Sequence, residues 1–244
     1  MIRAIIVDDE EPARALLRRD LGAHADIEIV AECGNGFEAI KAAAELSPDL
    51  LLLDIQMPKL NGFEVLELIE RPIAVVFITA YEEHALRAFE VHAVDYLLKP
   101  FTPERLAQAI ERATRRLSEG KLLPAAALSA AARGPGRRLD RILVREGEGV
   151  HVIPVEKIDF IEAQDDYISI RSAGKFHRKQ QRLADLDSLL DPERFVRIHR
   201  SYLLNVERLT KLELYAKDSR IAILADGTRL PVSRAGYARL RTML

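Results

Sequence analysis

The stretch Leu50-Leu51-Leu52-Leu53-Asp54, followed by Ile55-Gln56-Met57-Pro58, decides the fold of the first half of this chain. Four consecutive leucines closed by turn-forming residues are typical of a short strand buried on both faces, as in a parallel sheet. Open α/β sheets hold their ligands at the carboxyl ends of their strands, which is where Asp54 falls. We therefore interpret Asp54 as a candidate phosphoryl acceptor.

Strand-like and helix-like segments alternate on both sides of this stretch. The strand-like segments are residues 3–7, 27–32, 50–53, 73–78 and 94–98. The helix-like segments are residues 12–21, 37–46, 62–69, 82–90 and 103–117. Five βα units in succession predict an α/β domain with a doubly wound, flavodoxin-like, parallel five-stranded sheet and right-handed crossovers.

Polar residues stand where the predicted strands end. Asp8 and Asp9 close the first strand, Asp54 the third, Thr79 the fourth and Lys99 the fifth. In a parallel sheet these ends share one edge, so the five side chains should converge. Three clustered carboxylates repel one another and suit a hard divalent cation, for which Mg²⁺ is the best match. Lys99 would bind a phosphate oxygen as a point charge.

This half resembles the receiver domain of bacterial two-component response regulators, and we predict its extent as residues 1–118. The matching motifs, in order, are Asp8-Asp9, Asp54, Met57-Pro58 with Gly62, Thr79-Ala80 and Lys99-Pro100. The resemblance implies that Asp54 accepts a phosphoryl group from the phosphohistidine of a sensor histidine kinase. It implies a Mg²⁺ site formed by Asp8, Asp9, Asp54 and the backbone carbonyl of Gln56. It also implies that Thr79 and Lys99 bind the phosphoryl group and that Thr79 and Tyr96 act as the switch.

Two enzyme classes fit parts of the same half. The stretch from Gly34 to Ala39 matches G-x-G-x-x-A, and Asp54 follows Gly34 at the spacing of a dinucleotide-binding fingerprint. That alternative leaves the other strand-end residues unexplained, and we interpret the glycines as a tight turn. Aspartate-nucleophile phosphatases carry a second carboxylate where this chain has Gln56. We therefore expect no enzyme activity beyond slow autodephosphorylation.

Composition sets broad limits on compartment and partners. The single cysteine, Cys33, excludes an internal disulfide, and no apolar run is long enough for a membrane span. We expect a cytoplasmic protein without membrane association. Residues 1–132 carry a net charge of −8 and residues 133–244 a net charge of +6, and the basic half favours a nucleic-acid partner.

Residues 119–138 break the βα pattern, and we predict that they form a linker. They contain an alanine-rich run, 125–132, which favours helix, and the tripeptide Gly134-Pro135-Gly136, which favours a flexible tether.

Residues 139–244 change to short β-like runs, including a strong hairpin signal at Asp226-Gly227. This half resembles the mostly-β LytTR-type DNA-binding domain. The matching stretches are 158–163 with Tyr167, 195–205 (Phe-Val-Arg-Ile-His-Arg-Ser-Tyr-Leu-Leu-Asn), and 226–227 leading to 231–234. The resemblance points to the segments around His199, Arg200 and Arg234, and to the loop before Tyr167, as DNA contacts.

Arginine reads guanine in the major groove through paired hydrogen bonds, so Arg200 and Arg234 are the candidate base readers. Arg178 and Lys179 lie in a basic run suited to phosphates. Together the two halves predict a phosphorylation-dependent transcriptional regulator that binds double-stranded promoter DNA. The alternative is an output domain that binds RNA or protein. The resemblance to receiver domains also implies a homodimer on phosphorylation, through residues 82–90, 94–98 and 103–117.

Overall fold

The computed structural model describes residues 1–80, 93–120, 122–132, 138–147, 149–216 and 219–243. They form two compact units, Met1–Pro135 and Gly136–Leu244. Within the described ranges, no helix combines the length and the apolar character needed to cross a membrane.

The first unit is built on a five-stranded sheet in the order β2-β1-β3-β4-β5, and every neighbouring pair is parallel. Its strands are β1 (Ile2–Val7), β2 (Ile27–Cys33), β3 (Leu50–Asp54), β4 (Ala74–Thr79) and β5 (Asp95–Leu98). All five residues of β3 and all six of β4 are buried, because helices cover both faces of the sheet. The predicted doubly wound parallel sheet is confirmed.

Five helices of this unit are described. They are α1 (Glu11–Leu21), α2 (Gly36–Leu46), α3 (Gly62–Glu67), α4 (Pro103–Glu119) and α5 (Ala125–Ala132). The predicted helix over 82–90, part of the expected dimer face, lies outside the described residues. Helix α5 falls inside the predicted linker, yet it packs against α3 and buries Ala125 and Leu128. The predicted linker therefore includes a helix that belongs to the first unit.

The glycine-rich stretch before α2 has a structural explanation. The side chain of Asn35 caps α2 by accepting a hydrogen bond from the Glu38 amide at 3.0 Å. A Cβ on Gly36 would lie 2.7 Å from Val65 and 2.8 Å from Leu60, so this glycine allows α2 to approach its neighbours closely. The turn was expected from the sequence, whereas the close packing of Gly36 against Leu60 and Val65 was not.

The second unit contains three antiparallel sheets, ordered β10-β9-β8-β12-β11, β13-β14-β15 and β6-β7. Its strands are β6 (Arg141–Glu146), β7 (Gly149–Pro154), β8 (Ile158–Gln164), β9 (Tyr167–Ser172), β10 (Lys175–Lys179), β11 (Phe195–His199), β12 (Tyr202–Asn205), β13 (Leu209–Ala216), β14 (Ser219–Leu224) and β15 (Arg229–Val232). Its helices are α6 (Leu183–Leu189) and α7 (Arg234–Arg241), with 3₁₀ turns at Val155–Lys157 and Val206–Arg208. Strand β12 was not predicted from the sequence.

Two apolar cores hold this unit together. One contains residues of β6 to β9 with α6, and the other contains residues of β8, β11, β12, β14 and β15 with α7. Helix α7 is joined to β11 at two neighbouring carbonyls. The Arg239 guanidinium donates to the Arg197 carbonyl at 2.6 and 3.1 Å. The Ile198 carbonyl accepts hydrogen bonds from the Ser233 amide at 2.9 Å and the Ser233 hydroxyl at 3.1 Å, while that hydroxyl also caps α7. A Cβ on Gly236 would lie 1.8 Å from the same carbonyl oxygen, so only glycine fits there.

We predict that Gly236→Ala destabilises the second unit by about 1–3 kcal/mol, because α7 must move away from β11 to make room for the methyl group. Urea denaturation of the full chain measures the change. Gly149→Ala is the matched control, since its added Cβ would meet only the Glu146 carbonyl oxygen, at an ordinary 3.6 Å. Equal stability of the two variants would contradict the close approach.

Candidate functional site

The carboxyl edge of the parallel sheet brings together a lysine and two buried carboxylates. The Lys99 ammonium donates to Asp8 Oδ2 at 2.6 Å and to Asp54 Oδ2 at 2.9 Å, and it lies 3.6 Å from Glu10 Oε2. Asp8 is fully buried and Asp54 is 6% exposed. The ammonium therefore compensates two like charges that would otherwise repel each other in a poorly solvated site.

Asp9 completes a group of three carboxylates, each of which offers one oxygen within 4.8 Å of the others. Unlike its two partners, Asp9 is exposed. An all-oxygen donor set with one open side fits a hard cation that retains waters, and this is the coordination that Mg²⁺ prefers. The backbone amide of Gln56 donates to Asp54 Oδ1 at 3.0 Å, which places the Gln56 backbone beside the Asp54 carboxylate.

The Thr79 hydroxyl is a buried polar group without a hydrogen-bond partner among the described residues. Thr79 ends β4, next to β3, and its carbonyl accepts from the Lys99 amide at 2.8 Å. An unsatisfied buried hydroxyl costs free energy unless a ligand supplies the missing partner. Tyr96, the predicted switch residue, lies on β5 and is 8% exposed. The predicted residues at the strand ends thus lie together along the carboxyl ends of adjacent strands. Tyr96 lies further back on β5, where it pairs with Phe77.

Burial raises the pKa of the Asp54 carboxyl above its ordinary value. Hydrogen bonds from Lys99 and the Gln56 amide, and the charge of Lys99, act in the opposite direction, while the charge of Asp8 adds to the increase. The pKa of Lys99 is raised, because its bonds to Asp8 and Asp54 outweigh the effect of burial. Lys99 therefore remains a cation.

In the second unit, the candidate DNA contacts form two groups. His199 ends β11, where its Nδ1 accepts from the Ser201 amide at 3.3 Å, and Arg200 is exposed in the turn that follows. Arg234 is exposed at the first position of α7. The bonds from Ser233 to the Ile198 carbonyl hold the start of α7 beside the end of β11. These three residues therefore belong to one group.

Arg178 lies at the opposite edge of the same sheet. Strand pairing connects His199 to Tyr202, Tyr202 to Glu162, Glu162 to Ser169 and Ser169 to Arg178, so one transverse row crosses the sheet. The row starts beside the turn that carries Arg200 and spans the five strands, or about 19 Å. The Arg178 guanidinium stacks on the Tyr167 ring, 4.9 Å from its centroid.

Lys179 differs from its neighbour Arg178, because successive side chains of a strand point to opposite faces. Its ammonium donates to the Leu143 carbonyl at 2.9 Å and so joins β10 to β6. Lys179 thus has an internal partner on the other face of the sheet, and its assignment as a phosphate contact stays a prediction.

Two arginines that sequence reasoning missed line a cleft together with His199 and Ser233. They are Arg220 on β14 and Arg229 on β15. The Arg220 guanidinium lies 3.7 Å from the centroid of the Tyr237 ring, and Arg229 is 3.4 Å from a Glu213 carboxylate oxygen. The hairpin signal at Asp226-Gly227 predicted the pairing of β14 with β15. The sequence did not predict the contact of this hairpin with β11, which brings both arginines beside His199.

Comparison with known proteins agrees with both halves. Residues 4–111 match the response regulator receiver domain family, and residues 148–244 match the LytTr DNA-binding domain family. A response regulatory protein of Yersinia pestis is 37% identical over 246 residues, which cover 100% of this chain and 99% of that protein. The chain belongs to the LytTR family of response regulators.

Two further relatives of this response regulator are similar over nearly their whole length. The transcriptional regulatory protein BtsR of Escherichia coli is 35% identical over 241 residues, covering 96% of this chain and 95% of that protein. The sensory transduction protein LytT of Bacillus anthracis is 28% identical over 251 residues, covering 100% and 99%. The predicted family and the two-domain fold class are confirmed.

Besides Asp8 and Asp54, the receiver domain of this LytTR response regulator contains a buried carboxylate that sequence reasoning missed. Asp95, at the start of β5, accepts from Arg105 at 2.7 and 2.8 Å and from Arg112 at 3.0 Å. Burial acts to raise the pKa of Asp95, but its bonds with Arg105, the Tyr96 amide and Arg112 together lower it. These bonds tie β5, which carries the candidate switch Tyr96, to α4.

We predict that Lys99→Met raises the pKa of Asp54 further, because it removes the hydrogen bond and the charge that act against burial. The stability contributed by a carboxyl with a raised folded-state pKa is full below the unfolded pKa. It is lost as the pH rises through the folded pKa. The variant should therefore lose stability with increasing pH more steeply than the parent protein does.

Carbon-detected NMR titration of the aspartate carboxyls, without divalent cations, measures this pKa. Lys41→Met is the control, because Lys41 pairs only with exposed Glu45 on the surface of α2. A pKa of Asp54 that falls or stays constant in Lys99→Met would reject the assigned role of the ammonium.

Proposed function

We propose that this regulator accepts a phosphoryl group on Asp54 from a sensor histidine kinase and responds by binding promoter DNA. The observation that carries the proposal is the buried Thr79 hydroxyl, which has no hydrogen-bond partner among the described residues, on the strand next to a carboxylate held by a lysine. A phosphoryl group on Asp54 presents oxygens to both Thr79 and Lys99. The site therefore offers a hydrogen-bond donor and a cation to a phosphoryl group.

In the proposed step, an Asp54 carboxylate oxygen attacks the phosphorus of the phosphohistidine. The P–N bond breaks as the P–O bond forms, so the kinase histidine recovers its electron pair and Asp54 becomes an acyl phosphate. Asp8, Asp9, Asp54 and the Gln56 carbonyl would hold Mg²⁺, whose charge offsets that of the incoming phosphoryl group. Lys99 shifts from Asp54 toward a phosphoryl oxygen while it keeps its bond to Asp8.

We infer that Thr79 and Tyr96 pass this change to the surface that includes β5 and α4, where phosphorylation promotes a homodimer. The support is local: Thr79 and Tyr96 stand on paired strands, and the Asp95 ion pairs join Tyr96's strand to α4. A movement of β5 therefore reaches α4 directly.

Phosphorylation at Asp54 is the first prediction of this proposal. Acetyl phosphate with Mg²⁺ should add the mass of one phosphoryl group to the intact chain, and tandem mass spectrometry should place it on Asp54. Asp54→Asn should abolish the addition, and Asp26→Asn, which removes an exposed carboxylate, should not. Labelling that persists in Asp54→Asn would reject Asp54 as the acceptor.

For the output, Arg200 and Arg234 are the proposed base readers, and Arg178 is a proposed phosphate contact. Arg200 and Arg234 are exposed and lie on segments joined at the Ile198 carbonyl, and Arg178 lies at the far end of a row of paired strand residues.

Glu162, in the middle of this row, accepts a hydrogen bond from the Tyr202 hydroxyl. Burial and this bond raise the pKa of Tyr202 to about 12, so the hydroxyl remains a donor.

We predict that Arg200→Ala and Arg234→Ala each weaken binding to a selected promoter duplex by about 1–3 kcal/mol. Binding to a random duplex should change much less, because base contacts carry the sequence preference. Fluorescence anisotropy at one fixed salt concentration measures both affinities.

Arg145→Ala removes the same charge from an exposed position on β6 and is the matched control. Equal weakening on selected and random duplexes would assign the arginine to phosphate contact instead. Selection of tight-binding RNA in place of duplex DNA would contradict the proposed output itself.

A further inference from the structure

Two histidines and a glutamate meet at one end of the second unit, although they are far apart in the sequence. Glu146 Oε1 lies 3.0 Å from His177 Nδ1, and Glu146 Oε2 lies 3.2 Å from His151 Nε2. The two imidazole rings are 5.0 Å apart between centroids. One ligand atom of each residue lies within 4.8 Å of the others, so the three side chains converge on a single point.

Strand register explains this convergence. His151 pairs with Val144, and Glu146 stands two residues beyond Val144, so Glu146 and His151 share one face of the β6–β7 hairpin. His177 pairs with Ile170, which lies in the same apolar core as Val144. The three side chains thus close the edge of this core, where the hairpin packs on β10.

The donor chemistry differs from that of the receiver domain. Two imidazole nitrogens and one carboxylate match the preference of borderline transition-metal cations, above all Zn²⁺, whereas Mg²⁺ prefers oxygen alone. With both histidines neutral the set carries one negative charge. Lys179 lies two residues from His177 on the same strand face, but its ammonium is engaged by the Leu143 carbonyl.

We propose that Glu146, His151 and His177 form a Zn²⁺-binding site that joins the β6–β7 hairpin to β10. Three protein ligands leave a fourth tetrahedral position for water, as in sites that are open on one side. The exposure of the side chains fits this arrangement, since His177 is only 12% exposed while His151 and Glu146 are 50% and 40% exposed. The cation would enter from the side of His151 and Glu146.

Titration of the full chain with Zn²⁺ by isothermal calorimetry, with Mg²⁺ in large excess to occupy the receiver carboxylates, tests the proposal. We expect one Zn²⁺ bound per chain. His151→Ala, which removes an exposed ligand, and His177→Gln, which keeps a polar side chain of similar size, should each weaken this binding by about 100-fold or more. Loss of an outer partner alone costs about 10–100-fold. His24→Ala, which removes a receiver-domain histidine outside the cluster, should leave it unchanged.

Cobalt gives a second readout that does not depend on affinity. Co²⁺ bound at this site should give the intense visible bands of four-coordinate geometry, and both variants should lose them. Absence of Zn²⁺ uptake, or equal uptake by the parent and His151→Ala, would overturn the proposal and leave a hydrogen-bonded cluster only. Circular dichroism confirms that each variant is folded before its titration is compared.

Discussion

The receiver site depends on one ion-pair arrangement, the Lys99 ammonium held between Asp8 and Asp54. Both carboxylates are buried, so their mutual repulsion is poorly screened and needs a cation close by. The sheet order places β1 beside β3 and β5 beyond β4, and a long side chain from β5 reaches both acids. Lys99 thus has an ion pair with Asp8 in addition to the one with Asp54.

Thr79 has the complementary role. Its hydroxyl lacks a partner among the described residues, whereas Lys99 has two carboxylates. A dianionic phosphoryl group on Asp54 would give the Thr79 hydroxyl a hydrogen-bond acceptor and would compete with the Asp54 carboxylate for the ammonium. Both adjustments act on the ends of β4 and β5. The ion pairs of Asp95 with Arg105 and Arg112 fix the start of β5 to α4. The short strand β5 therefore joins Lys99, which follows its last residue, to this helix.

The convergence of the candidate receiver residues could be predicted from the sequence. Most of the candidate DNA-binding surface could not, and the reason is physical. Asp54 and Thr79 end their strands, while Asp8 and Lys99 directly follow theirs, and parallel topology alone brings these strand ends together. In the second domain the geometry depends on antiparallel register. The sequence did not predict the four-residue strand Tyr202–Asn205, which is the strand that begins the row from Tyr202 to Arg178. The Asp226-Gly227 turn predicted the hairpin of β14 and β15, but not its contact with β11, which brings Arg220 and Arg229 to the His199 cleft.

Strand β10 shows how register gives adjacent residues different roles. The basic run suggested one phosphate-binding surface, yet Arg178 and Lys179 alternate across the sheet. His177 and Lys179 face the β6–β7 hairpin, where one approaches Glu146 and the other binds the Leu143 carbonyl. Arg178 faces the other side and stacks on Tyr167. His177, Arg178 and Lys179 share one strand backbone. The contacts that fix His177 and Lys179 against the hairpin therefore also fix the position of Arg178 on the opposite face of β10.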